Sequence, residues 1–140
     1  MPVTRLDLDQ VALCYDLAAT ILFPLDTEGV WKIGYAMAKD NFNGLYKFLI
    51  SIATVPFLVK QVPTIWNIYY DKGTPRAELP PEGGIGTIVV ENLPELPMSI
   101  RVLTTGFIQS ALEFTKVKNI NVKLTSTNPQ AWKWVATWEH

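Results

Sequence analysis

The closing stretch Ala131-Trp132-Lys133-Trp134-Val135-Ala136-Thr137-Trp138-Glu139 alternates like a strand, and it sets three tryptophans on one side. With a side-chain period of two, Trp132, Trp134, Ala136 and Trp138 point one way, and Lys133, Val135, Thr137 and Glu139 the other. The indole face has to be buried under helices or wrapped around an apolar guest. Any fold for this chain must cover that face.

With 140 residues, the chain is expected to form a single domain over 1–140, helical at about 7–73 and sheet at about 74–139. Hydrophobic residues make up 49%, which excludes a disordered chain. Twelve Lys and Arg and thirteen Asp and Glu are scattered singly, so no basic stripe neutralises phosphates and nucleic acid is not an expected partner. Cys14 is the lone cysteine and can make no internal disulfide, which fits a reducing cytoplasm. The longest apolar run, Phe48 to Val59, is broken by Ser51, Thr54 and Pro56. A membrane span needs roughly 20 apolar residues, so none is expected. Asp7 and Asp9 follow closely on Met1, where no secretory signal would carry them, and the expected location is the cytoplasm.

Spacings of three and four dominate before Gly73, and alternation appears after it. A first helix is expected from about Asp7 to Leu22, with Leu8, Val11, Ala12, Tyr15, Ala19 and Leu22 as its main stripe. Its polar edge of Asp9, Asp16 and Thr20 is narrow, so the helix is expected to be covered on more than one side, by the domain or by a second copy. A second helix spans about Glu28 to Asn41, and a third starts at Leu45 and stops before Pro56. Pro56 and Pro63 each suit a first helical turn, which predicts two short helices, the second over Thr64 to Tyr70. Strands are expected at Thr74–Leu79, Ile85–Leu93, Asn119–Thr125 and Ala131–Glu139, with a helix at Met98–Lys116 buried through Ile100, Leu103, Phe107, Ala111 and Phe114. Ser126-Thr127-Asn128-Pro129 reads as the last turn. The class is α+β: N-terminal helices, then a β-β-α-β-β antiparallel four-stranded sheet with helices mainly on one face.

Three segments carry a resemblance: Trp66-Asn67-Ile68-Tyr69-Tyr70-Asp71-Lys72-Gly73, Gly106-Phe107-Ile108-Gln109-Ser110-Ala111-Leu112-Glu113, and Val135-Ala136-Thr137-Trp138. Over about 25–138 the chain resembles the ligand-binding fold shared by haem nitric-oxide-binding domains, four-vinyl-reductase-type domains and TRAPP trafficking subunits. Within that group it is most similar to a family of bacterial paralogues. The resemblance implies a pocket, between sheet and helices, that takes small or fatty apolar molecules. The haem-binding relatives hold iron through a histidine in their helical part. Here the one histidine is His140, and the tyrosine-serine-arginine signature for the propionates is absent, so haem is not expected and no cofactor is assigned. Clustered cysteines are missing too, so no metal site is carried over.

The ligand-lining residues expected on this reading are Trp132, Trp134, Trp138, Phe107, Leu103, Tyr46 and Tyr69. The tryptophans could equally pack as plain core, and pocket walls are made of core residues. Gly106, in mid-helix, makes room for a ligand, for a loop's backbone or for close helix–sheet packing. Tyr69-Tyr70 with Trp66 form either a gate or a cover over the sheet. Gly83-Gly84-Ile85-Gly86 precedes a strand and opens no helix, so it is a turn and not a phosphate cradle. The carboxylate pairs Asp7/Asp9, Glu78/Glu82 and Glu91/Glu95 lie at element ends, where capping and solvation account for them. Cys14 reads as a buried small hydrophobe. No catalytic residue is assigned, and an enzyme would have to use Tyr, Asp or Glu in the pocket, with Tyr35, Tyr46, Tyr69 and Tyr70 the first to test.

Two functions fit these residues. One is a non-enzymatic binding or sensor-type domain for a small apolar molecule. The other is an interaction module without a physiological small ligand. A homodimer through the N-terminal helices, Asp7 to Leu22 foremost, is expected under either.

Overall fold

Residues 7–43, 54–128 and 130–139 are described by the computed structural model, residues 41–43 by their backbone alone. Helix α1 spans Leu8–Leu22, α2 Gly29–Asn43, α3 Val55–Tyr69 and α4 Met98–Glu113. Strands β1 Thr74–Glu78, β2 Ile85–Glu91, β3 Lys118–Asn128 and β4 Ala131–Glu139 form one antiparallel sheet in the order β1-β2-β4-β3. The α+β class and the β-β-α-β-β sequence are as expected. The third helix expected from Leu45, with Tyr46, lies outside the described residues.

α1 begins where its capping box dictates: the Asp7 carboxylate accepts from the Gln10 amide at 2.8 Å, and the Gln10 side chain accepts from the Asp7 amide at 3.1 Å. Asp7 is thus a cap. Glu78 and Glu91 both flank Arg76 on the polar outer face of the sheet, Glu91 at 2.6 Å. Ala12 and Ala19 face inward on α1, but Leu22, assigned to the inward stripe, is exposed, and so are Leu13, Leu17 and Ile21. Cys14 is exposed as well, contrary to the buried reading. Two residues beyond Ala12 on a helix is nearly the opposite side, and an apolar local sequence could not reveal that.

The two short helices expected around Pro56 and Pro63 are one helix. Thr54 caps it, its hydroxyl accepting from the Phe57 amide at 3.4 Å, and Pro56 fits the first turn. Pro63 lies inside, at a cost of about 3 kcal/mol for a helix interior. The apolar face that runs across it, Val55, Leu58, Val62, Ile65, Trp66 and Tyr69, offsets that cost by packing inward, while both prolines, seven apart, stay on the exposed side. At the other end of the chain, β3 continues to Asn128, so Ser126-Thr127-Asn128 is strand and the connection to β4 is shorter than expected. Strand register explains the continuation, since Ser126, Thr127 and Asn128 each pair with β4 beyond a bulge.

Rows of side chains cross the sheet on its inner face. Ala77 stands opposite Ile88, Ile88 opposite Trp134, and Trp134 opposite Leu124; the next row joins Gly86, Ala136 and Val122. α4 covers this face and is itself backed by α2. It is therefore buried on two sides, through Ile100, Ile108 and Leu112 and through Leu103, Gly106 and Ser110, while Phe107, Ala111 and Phe114 are only half-buried.

The α2–α4 contact is a backbone-to-backbone crossing. A methyl group on Gly34 would lie 1.9 Å from the Leu103 carbonyl oxygen, and one on Gly106 would lie 2.1 Å from that of Trp31. Ala38 and Ser110, one turn further along each helix, are fully buried. Gly106 thus makes room for the backbone of another helix, and not for the ligand, loop or sheet contact weighed for it. A Gly106→Ala variant gains up to about 1 kcal/mol in helix propensity and loses more to the clash, with a net destabilisation of about 1–3 kcal/mol. Urea unfolding measures it, and a stability equal to or above wild type would contradict the crossing.

Candidate functional site

α3 and α4 both cover the sheet, yet their backbones scarcely meet. Between them lies a cavity of about 130 Å³. α3 contributes the face just described, Val55 through Tyr69; α4 contributes Leu103, Phe107, Ile108 and Ala111; α2 contributes Met37. The sheet supplies Ala77, Gly86, Ile88, Trp134, Ala136 and Trp138. Small residues on the sheet keep the space open beside the large indoles. Among the described residues the lining holds no charged side chain.

Each buried indole is fixed differently. Trp132 donates to the Leu93 carbonyl at 2.7 Å and lies under the Arg101 guanidinium, 4.6 Å from the ring centre. Trp134 donates to the Thr105 hydroxyl at 3.2 Å, and that hydroxyl donates to the Arg101 carbonyl at 2.9 Å. Trp66 donates to the Lys72 carbonyl at 2.8 Å. Trp138 is buried with no partner for its indole N–H among the described residues.

Tyr69 packs edge-on against Phe107, with ring centres 5.8 Å apart. Tyr70 is buried, tilted against Trp66 at 4.5 Å, and its hydroxyl lies 3.5 Å from that of Tyr15. Burial pushes the Tyr70 phenol far up, reinforced by the neighbouring Tyr15. Burial also raises Tyr15 and Tyr69. All three are neutral at physiological pH.

Leu103, Tyr69, Phe107, Trp134 and Trp138 all line this cavity. Trp132, on the same strand face, does not; it anchors the loop before α4. Tyr46 lies outside the described residues. Tyr35 is away from the cavity, stacked on Trp31 at 5.4 Å and bonded to Glu113. The face of α3 around Val55, Leu58, Val62 and Ile65 was missed, although its three–four spacing continues across Pro63 and could have identified it.

No family model matches the chain, and no curated protein matches it. Solved structures do. An H-NOX protein from S. oneidensis in the Fe(II)NO state matches with a TM-score of 0.66 at 10% identity, over 100% of this chain and 80% of that one. An H-NOX variant from T. Tengcongensis gives 0.63 at 12% identity, over 100% and 78%. A structure from work on haem distortion in the H-NOX family gives 0.64 at 13% identity, over 100% and 76%. At such identities the likeness shows the fold: that of the haem nitric-oxide-binding domains.

One expectation is thereby overturned. The missing histidine led to the expectation that haem is not bound, but the structures that share this fold include an H-NOX protein in the Fe(II)NO state and one from work on haem distortion, so that exclusion does not stand. The fit of haem is uneven. The apolar lining suits a flat ring, but about 130 Å³ is close to the roughly 150 Å³ of a cavity that holds benzene. The described lining offers an iron no imidazole, thiolate or carboxylate, and the Tyr69 and Tyr70 phenols are held protonated. The Met37 thioether remains, and a lone thioether with two protonated phenols is a weak donor set for iron, so no chemistry is derived through it.

The tyrosine cluster predicts an alkaline limit. A phenol whose folded pKa lies above its unfolded value of 10.0 lends stability that is complete below that pH and is lost progressively as pH rises from there towards the folded value. Ultraviolet titration should show Tyr15, Tyr69 and Tyr70 ionising late, together with a falling unfolding free energy. Three ordinary phenolates appearing near pH 10 in a still-folded chain would contradict the buried cluster.

Proposed function

We propose that this chain is a non-enzymatic binding or sensor-type domain that takes a small apolar molecule between α3, α4 and the tryptophan face of β4, working in the cytoplasm. The observation that carries this reading is the uncharged cavity left where the two helices part. Trp134, fixed by Thr105, and Phe107, propped by Tyr69, give a guest rigid aromatic walls at little entropic cost. Polar groups arranged for acid–base work are lacking among the described lining residues, which favours binding over catalysis. Haem belongs among the guests to be tested, with a Soret band as the readout.

Benzene or indene at a hundredfold excess over its Kd should stabilise the fold by about 2.7 kcal/mol, raising Tm by about 5–10 °C. Ala136→Leu, which fills the cavity from the sheet, should abolish the shift while retaining the wild-type circular dichroism. No shift with any guest, or an equal shift in the filled variant, would overturn the reading.

A second reading has its own observation. Leu13, Leu17 and Ile21, four apart on α1, are 58%, 54% and 76% exposed, an apolar stripe on a helix whose buried residues are Ala12 and Ala19. We propose that this stripe pairs with a second copy. Light scattering at micromolar concentration should give twice 15.7 kDa, and Leu17→Glu should give the monomer. A wild-type monomer would end this reading and leave the cavity reading intact.

A further inference from the structure

We infer that the cavity takes apolar guests larger than its resting volume by a swing of residues 55–62 about Pro63, away from the sheet, while the rest of the wall stays in place. The inference rests on the cavity-binding reading and deepens it by naming the element that a guest displaces. At about 130 Å³ the resting space suits one six-membered ring. A longer guest enters only if some part of the wall gives way, and most of the wall is held.

The sheet is tied by its ladders, and Trp134 is fixed by Thr105. α4 is gripped from behind by α2, backbone against backbone at Gly34 and Gly106. The C-terminal half of α3 is anchored where it leads into β1. Trp66 donates to the Lys72 carbonyl at 2.8 Å, and Tyr70 is buried against that indole. Gly73, with a φ of 84°, then presses on the interior strand β2, where a methyl group would lie 2.7 Å from Cγ1 of Val90.

Residues 55–62 have no comparable hold. Among the described residues they make no hydrogen bond outside the helix and its Thr54 cap, and α3 scarcely meets α4 with its backbone. Side chains keep this half closed: Val55 and Leu58 are buried, with Leu58 clustered beside Ala38 and Phe107. The joint between the halves is Pro63. It supplies no amide for the Val59 carbonyl and disfavours helical geometry at Val62. Val59, Val62, Thr64 and Ile65 around it are β-branched, poor helix formers. A helix bends at such a joint before it bends elsewhere. Without a guest, a swing would expose Val55 and Leu58 to water. A longer apolar guest keeps them covered, so its binding favours the displaced form.

Benzene, which suits the resting cavity, and n-hexylbenzene, which exceeds it, are the probes. Spin labels on Lys60→Cys, in the moving half, and on Lys123→Cys, on the outer face of the sheet, report the swing by pulsed electron resonance in a Cys14→Ser background. n-Hexylbenzene should lengthen that distance, and benzene should not. The pair Asn67→Cys and Lys123→Cys, beyond the joint, should keep its distance with either probe. Pro63→Ala, which restores the helical hydrogen bond, should weaken n-hexylbenzene about five- to tenfold and leave benzene within about twofold. With n-hexylbenzene bound, a Lys60 distance that does not lengthen, or an equal change at Asn67, overturns the inference and leaves the cavity reading standing. An n-hexylbenzene affinity unaltered by Pro63→Ala, or binding of benzene alone, does the same. If neither probe binds, both fall. Should Pro63→Ala fail to fold, the label distances alone decide.

Discussion

The close crossing of α2 and α4 is the contact on which the remaining geometry depends. Gly34 and Ala38 on one helix meet Gly106 and Ser110 on the other, and the carbonyls of Leu103 and Trp31 occupy the space two side chains would need. A helix gripped this tightly from behind cannot settle towards α3. Its other face is free to meet the sheet, where Ile100, Ile108 and Leu112 join the indoles in one core. The gap between α3 and α4 is thus a consequence of where α4 is held.

The sheet completes the arrangement by mixing very large and very small residues. Trp134 and Trp138 stand beside Gly86 and Ala136, and Ala77 lies across from Ile88. The hydrogen bond to Thr105 keeps Trp134 from collapsing into the space between. A hollow in a protein interior forfeits dispersion contacts along its walls, and close-packed cores rarely keep one without such props. Cavity and core are built from the same residues, so the two readings of the tryptophan face, pocket or packing, were never exclusive.

Much of the fold was legible in the sequence because period and punctuation agreed. The three–four spacing from Leu8 announced α1, the alternation at 131–139 fixed β4 residue by residue, and the class followed from the order of patterns. What the sequence hid was tertiary. Pro63 argued for a break that the apolar face of α3 overrides. Gly34 lies in an ordinary helical stretch, and nothing local discloses that another backbone presses on it. Cys14 and Leu22 look inward by composition and point outward by helical phase. At the site, Leu103, Phe107, Tyr69, Trp134 and Trp138 could be named from their patterns. The α3 wall was not, because the helix that carries it had been divided at Pro63, although its three–four spacing runs on across the proline. The resemblance to the haem nitric-oxide-binding fold held, while the exclusion of haem drawn from a missing histidine did not, since solved structures that match this fold include an H-NOX protein in the Fe(II)NO state and one from work on haem distortion.

The central claim, that the space between α3, α4 and β4 is a real apolar cavity open to a guest, is tested most directly by a crystal structure under xenon pressure. Xenon needs no hydrogen bond and enters apolar cavities of this size. The account predicts xenon density between Phe107, Trp134 and Trp138, with the surrounding side chains unmoved. Side chains filling that space, and no xenon within it, would contradict the account.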